Sequence, residues 1–298
     1  MNTSVDWPVK QRELVMFVAD SRKWNGFEFR DDDIVISTWS KSGTTWMQQI
    51  VSQLIFEGEP DLYGVDRSAW PDFRLTPDAL EQAAAQTHRR YLKTHLPIDA
   101  LVYSPRAKYI YVGRDGRDAY WSWHNHHVGY TQKALDIING FYPDDPPIGY
   151  PNPDIRLAFH EWLDRDAYPN WPFWSHVQGW FDARHLPNLM LVHFADLKAD
   201  LRGQIEKIAE FLDIDVKEAN WPPILEHCSL EYTRMVADRQ QRMHDIFKGG
   251  GKTFINKGTN GRWRDVLTPD DIVRYEAEAA RHLTSECAEW LATGRLPA

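Results

Sequence analysis

The segment Asp33–Thr38 (DIVIST) is a short β-branched run with charged residues before it and Ser and Gly after it, the pattern of a buried strand. The period then changes. In Thr44–Phe56 the apolar residues Trp46, Met47, Ile50, Val51, Leu54 and Ile55 fall on one stripe of a 3.6-residue repeat, which predicts a helix. Arg90–Thr94 (RYLKT), Lys108–Val112 (KYIYV) and Leu189–Phe194 (LMLVHF) predict three further strands. Leu201–Leu212 predicts another helix, with Leu201, Ile205, Ile208, Ala209 and Leu212 on one face. Strands alternating with helices predict an α/β fold, a central mainly parallel β-sheet flanked by helices. A strand, tight loop and helix at its start predict a P-loop-like phosphate-binding loop. Such sheets bind ligands beyond the carboxyl ends of their strands, and each motif below begins where a predicted strand stops. No repeat, low-complexity tract or linker divides the chain, which reads as a single domain over residues 1–298.

Composition narrows the class. The 298 residues are 43% hydrophobic and 26% charged, ordinary for a globular chain long enough to fold without a disulfide or metal staple. Cys228 and Cys287 stand in no CxxC or Cys/His spacing and read as free thiols of a reducing compartment. The first thirty residues carry charges throughout with no apolar core run, so no secretory signal is expected. No run approaches the roughly 18 apolar residues of a membrane helix. The expectation is a cytoplasmic protein without an integral membrane segment. A net charge of −9 argues against a nucleic-acid partner and leaves room for local positive pockets. Fourteen tryptophans imply bulky core packing and an aromatic-walled pocket. Gly140–Trp180, rich in Pro, Trp, Tyr and Asp, reads as an irregular surface loop or a lid over a bound molecule. Asp31–Asp33 and Asp144–Asp145 read as solvated acidic patches.

The chemistry sits at the strand ends. In Ser40-Lys41-Ser42-Gly43-Thr44-Thr45-Trp46, Gly43 permits a sharp turn and the following amides open a helix, which makes an anion cradle. Thr44 and Thr45 add hydroxyls and Lys41 a full charge. The Walker order GxxxxGK[ST] is absent, because the lysine precedes the glycine, so the Mg²⁺ arrangement of nucleoside triphosphatases is not supported. By itself the loop means phosphate or sulfate near a helix start, or only a Ser/Thr-capped helix. Next comes Lys93-Thr94-His95-Leu96-Pro97, where a histidine suited to general-base work stands two residues from a lysine on the same side of an extended chain. Third, Arg114 at a strand end precedes Ser122 by about two helical turns. The pair suits a phosphate clamp, or Arg114, Asp115, Arg117 and Asp118 form a surface ion-pair network. Fourth, Asn256-Lys257-Gly258-Thr259-Asn260-Gly261-Arg262 is a cationic glycine loop, and Lys248–Lys252 before it reads as mobile. His124, His126 and His127 raise a metal cluster, but no flanking carboxylate or cysteine supports it, and they are better placed to shape an acceptor site.

Taken together, these motifs resemble the cytosolic-type sulfotransferases that use 3′-phosphoadenosine 5′-phosphosulfate (PAPS). That family's PKSGTTW loop is matched by Ser40–Trp46, with Ser for Pro; its KTHLP by Lys93–Pro97; its arginine-and-serine segment by Arg114 and Ser122. Its RKGxxGxWK loop is matched in part by Asn256–Arg264, and its SxxHVxGWW stretch is similar to Trp174–Phe181. The resemblance spans residues 33 to about 264. It implies a PAPS-dependent transfer of a sulfuryl group, with PAP (adenosine 3′,5′-bisphosphate) as product and no metal. Lys41 with the amides of Ser42, Gly43, Thr44 and Thr45 would hold the 5′-phosphosulfate, and Trp46 would stack on adenine. Lys93 would assist at the sulfuryl group and His95 would take the acceptor's proton. Arg114, Ser122, Lys257 and Gly258 would grip the 3′-phosphate, Ser122 being counted with Lys41, Lys93 and His95 among the catalytic positions. Three departures stand out. Asn256 replaces an arginine, leaving Arg262 or Arg264 to complete the grip, and Phe194 replaces a tyrosine near adenine. The family's dimer motif survives only as a fragment at 264–268, so monomer and homodimer both remain. A small-molecule P-loop kinase and a non-catalytic adenosine-bisphosphate binder are the competing readings. The expected acceptor is an apolar alcohol, phenol or lipid hydroxyl, from the aromatic content of 140–180.

Overall fold

In the computed structural model, which describes residues 5–141 and 143–297, a two-residue hairpin, β1 (Val15–Met16) and β2 (Ala19–Asp20), precedes the main sheet. The sheet comprises β3 (Ile34–Thr38), β4 (Tyr91–Thr94), β5 (Lys108–Gly113) and β6 (Leu189–His193). All three pairings are parallel, in the order β4-β3-β5-β6. The expected parallel α/β architecture is therefore the observed one. Successive strand residues point to opposite faces, and both sets here are apolar. Ile34 and Ile36 join Ile110, Val112 and Val192 on one face, while Val35 and Leu92 join Tyr109 and Tyr111 on the other. Helices must cover both faces of such a sheet.

They do so through α1 (Thr44–Ile55), α2 (Ala79–Ala85), α3 (Gly116–Val128), α4 (Gln132–Phe141), α5 (Ile155–Asp164), α6 (Phe173–Asp182) and α7 (Phe194–Ala199). The chain continues with α8 (Leu201–Phe211), α9 (Trp221–His227), α10 (Leu230–Asp238), α11 (Gln241–Ile246), α12 (Gly251–Phe254), α13 (Pro269–His282) and α14 (Ser285–Thr293). The predicted stripe of α1 packs on Ile34, Ile36 and Ile110 together with Ile205 and Ile208 of α8. On the opposite face Tyr111 stacks on Trp180 of α6, with ring centroids 5.3 Å apart. Gly113, the last residue of β5, faces Trp290 of α14 so closely that a Cβ there would lie 2.3 Å from the indole.

Three expectations change. Gly140–Trp180 is an irregular loop only in part: residues 143–154 have no helix or strand and are mostly exposed. It holds α5, capped by the Asp154 carboxylate on two backbone N–H groups, and the start of α6. Its rings Phe159, Trp162, Trp171, Phe173 and Trp174 are buried in the core. Asp33 is not solvated: it is fully buried and accepts from both Nε and Nη2 of buried Arg90. Asp31 and Asp145 do sit at the surface, each paired with an arginine. Finally, the glycines before the cationic loop serve close approach, not mobility. A Cβ on Gly251 would lie 2.3 Å from the Asp238 backbone nitrogen, and Lys248 N–H donates to the Gly129 carbonyl. Both cysteines are free and buried.

Candidate active site

The four sequence motifs converge because the strands that carry them end side by side. Thr38, Thr94, Gly113 and His193 form the carboxyl edge of the sheet, and a cavity of about 670 Å³ opens beyond it. Lys41, Gly43, Thr44, Thr45, Trp46, Lys93, His95, Arg114, Ser122, Asn256, Lys257 and Gly258 all line it. Ser42 does not; it is buried behind the loop, its N–H donating to the Trp39 carbonyl. Of the two arginines considered as substitutes at Asn256, Arg262 lines the cavity. Arg264 lies over the Trp263 ring, 4.4 Å from its centroid, and is not part of the lining.

Two unusual dihedrals shape the anion loop. Lys41 has φ +67° and Gly43 φ +122°. At Gly43 a Cβ would also approach Phe194 Cδ2 to 3.0 Å, so both backbone and space require glycine. No side chain caps the first turn of α1, leaving its leading N–H groups facing the cavity with the positive end of the helix dipole.

Arg114 and Arg117 divide the ion-pair reading between them. Arg117 pairs with Asp115, Nη2 to Oδ2 at 2.7 Å, which is structural. Arg114 forms no ion pair among the described residues. Its Nη1 donates to the Lys41 carbonyl at 3.1 Å, Nε and Nη2 to Asn260 Oδ1, and Nη2 to the Thr259 carbonyl. Its guanidinium lies 4.2 Å from the centre of the Phe194 ring. The cationic loop is thereby fastened over the strand end, with a second tie from Gly261 N–H to Asp118 Oδ1.

His95 is 5% exposed, and its Nδ1 lies 2.8 Å from the Thr38 carbonyl. A carbonyl only accepts, so Nδ1 carries the proton and Nε2 keeps a lone pair. Burial, reinforced by the Lys93 charge, holds this imidazole well below its ordinary pKa, so it is neutral at pH 7. His176 steadies it from behind, with Nε2–H donating to the His95 carbonyl and Nδ1 accepting from Tyr111. Lys93 sits 3.6 Å over the Trp70 ring. Burial lowers Lys93 to about 8, opposed by the charge of Asp72. Burial, then the Lys93 and Arg114 charges, lowers Lys41 to about 7. Arg114 falls to about 10, again through burial first. Neither lysine has a carboxylate within ion-pair distance among the described residues. Three buried cations without an ion-pair partner among the described residues are costly, and a polyanion in the cavity would raise all three pKa values.

With that geometry in hand, the comparisons with known proteins decide the family. Residues 31–285 match the family model described as the sulfotransferase domain. The chain belongs to the sulfotransferase family. It is 31% identical to the glycolipid sulfotransferase of Mycobacterium tuberculosis (strain ATCC 25177 / H37Ra), over 93% of each chain. To the sulfotransferase 1A1 of Rattus norvegicus it is 28% identical, again over 93% of each. Among solved structures, mouse sulfotransferase SULT7A1 complexed with PAP shares the fold with a TM-score of 0.69 at 20% identity, covering 90% of each chain. Retinol dehydratase in a complex with retinol and PAP does so with 0.71 at 22% identity, covering 93% of this sulfotransferase and 86% of the other chain.

Several lining residues of this sulfotransferase carry no sequence signal. Trp70 and Phe73 enter from the segment between α1 and α2, and Leu230 and Thr233 from α10. The histidine run does not make one cluster. His124 Nε2–H donates to the Asn152 carbonyl, His127 Nδ1–H to the Trp123 carbonyl, and only His126 faces Lys41. No group of three or more His, Cys, Asp or Glu stands together as a metal site among the described residues. The 264–268 fragment leads directly into α13. Thr268 N-caps α13 in a capping box with Asp271, and Pro269 takes the first turn.

Proposed function

We propose that this chain, acting as one domain in the cytoplasm, moves a sulfuryl group from PAPS to the hydroxyl of an apolar alcohol, phenol or lipid. The observation that carries the reading is the trio of buried cations Lys41, Lys93 and Arg114, none in an ion pair among the described residues, around an uncapped helix start. Two phosphates and a sulfuryl group supply the charge that this wall lacks. Arg114, Arg262, Ser122, Lys257 and the Gly258 backbone face the 3′-phosphate, while Lys41 and the amides of Gly43, Thr44 and Thr45 hold the 5′-phosphate; the Ser42 amide is spent on the Trp39 carbonyl. Trp46 and Phe194, ring centroids 5.4 Å apart, with Leu230 offer apolar faces to adenine.

In the transfer, the acceptor oxygen forms a bond to sulfur as the bond from sulfur to the 5′-phosphate oxygen breaks, its electron pair staying on that oxygen. His95 Nε2 takes the hydroxyl proton. Lys41 and Lys93 offset the charge developing across the leaving oxygen, in positions fixed before reaction. The mycobacterial relative's name, glycolipid sulfotransferase, supports a lipid hydroxyl. So does the outer part of the cavity, lined by Val65, Phe73, Ile137, Ile138, Met243 and Phe247.

The test is turnover of ³⁵S-labelled PAPS with a panel of phenols, sterols and glycolipids in EDTA. Transfer that survives the chelator and disappears in His95→Ala is expected. Consumption of ATP that requires magnesium would overturn the reading.

A further inference from the structure

His126 takes no part in the transfer chemistry, yet it touches the residue on which that chemistry depends most. Its Nδ1 lies 3.1 Å from Lys41 Nζ, and its Nε2 lies 2.9 Å from the Tyr130 hydroxyl. While Lys41 is protonated it has only protons to give, so in that state Nδ1 accepts from Lys41 and Nε2–H donates to Tyr130. Phe254 and Phe247 pack on the imidazole, with centroids 5.7 and 4.8 Å away. The Lys41 ammonium also lies 4.7 Å over the Phe254 ring. The lysine that starts the anion loop therefore leans away from the helix N-terminus, into a socket made by a neutral nitrogen and an aromatic face.

We propose that His126 is a positioning residue: its Nδ1 holds Lys41 in a waiting position until the nucleotide arrives, and Lys41 then exchanges that nitrogen for the donor's phosphate oxygens. The inference rests on the proposed function. The physical reason for such a hold is that a buried ammonium must hydrogen-bond something. Aspartate there would neutralise it and compete too strongly with the nucleotide, whereas a neutral imidazole satisfies one donor and leaves the charge available.

The experiment is titration calorimetry with PAP in a double-mutant cycle. His126→Phe keeps the ring and removes the nitrogen. It should bind PAP about five-fold more tightly than the unaltered chain, since no hydrogen bond has to be given up. His126→Gln, whose amide oxygen can still accept, should return toward the original affinity. In a Lys41→Met background the His126→Phe change should make no difference. An effect that persists without Lys41, or its absence with Lys41 present, overturns the inference. A second measurement stands apart from affinity. In ¹⁵N-histidine-labelled protein, the His126 Nδ1 resonance should shift on saturation with PAP, and should already sit at the shifted position in nucleotide-free Lys41→Met. A resonance unmoved by PAP overturns the proposal as surely. Failure of the unaltered chain to bind PAP at all would strike the functional reading instead, so the two failures are told apart.

Discussion

The two halves of the cavity are built on different principles. The half near the sheet is fastened to backbone: Arg114 reaches the Lys41 carbonyl, His95 the Thr38 carbonyl, and Gly43 is held by its own dihedral and by Phe194. The outer half is a collection of side chains from elements beyond the sheet. Phe17 and Val18 come from the turn between β1 and β2, Ile137 and Ile138 from α4, Met243 and Ile246 from α11. The first half requires particular atoms at particular places; the second requires apolar bulk of suitable size. A charged half with fixed geometry tolerates little change, while an apolar wall can be repacked for another acceptor at small cost.

The comparison can be broken most decisively at His95. His95→Ala should reduce turnover about 10²- to 10⁴-fold, the usual share of a general base, while leaving PAP affinity close to unchanged. Equal loss of both in calorimetry and assay would mean that the histidine is structural.

Arg114→Met should weaken PAP binding by roughly 10- to 100-fold, the value of one or two charge-assisted hydrogen bonds. The substitution also frees the loop at Thr259 and Asn260, so limited proteolysis there should quicken.

The lowered lysines give a pH dependence of definite sign. In the nucleotide-free chain Lys41 and Lys93 lose protons near pH 7 and 8, well below the usual lysine value. A bound polyanion raises both again, so PAP binding takes up protons and its affinity falls as pH rises from about 7 toward 10. Calorimetry at pH 8 in two buffers of different ionisation enthalpy reads the uptake directly. The same groups are charged more readily in the unfolded chain, so their contribution makes the nucleotide-free fold more stable as pH rises through that window. Lys41→Met should accordingly raise the nucleotide-free Tm by a few degrees at pH 6 while weakening PAP binding.

The smallest effect belongs to the outer half. Ile137 is 49% exposed and lines the cavity, so Ile137→Ala should leave folding and PAP binding alone and raise the KM for a lipid acceptor about three- to ten-fold. A matching change in PAP affinity would erase the distinction between the halves.

The same division explains what was legible in the sequence. The sheet was readable because β3 and β5 are buried on both faces along most of their length and so are largely apolar. The basic strand ends were readable because glycine at 43, lysine at 41 and arginine at 114 answer to backbone and charge requirements that few residues meet. Trp70, Phe73 and Leu230 were not, since any large apolar residue could line those walls and their positions follow from tertiary packing alone. Gly140–Trp180 misleads only in its second half, for a related reason: Pro146, Pro147 and Pro151 do lie in a loop, yet Asp154 is a helix cap and the tryptophans are buried. Asp33 misleads because its partner, Arg90, lies far off in sequence and adjacent only across the sheet.

The contact between Gly113 and Trp290 has a consequence for how the protein comes into being. The strand end that launches Arg114 is translated long before the indole that wedges it from the far side. The end of β5 is thereby closed by two parts of the chain far apart in sequence, and a chain truncated before Trp290 should keep its sheet while the Gly113 end loses its fixed backing.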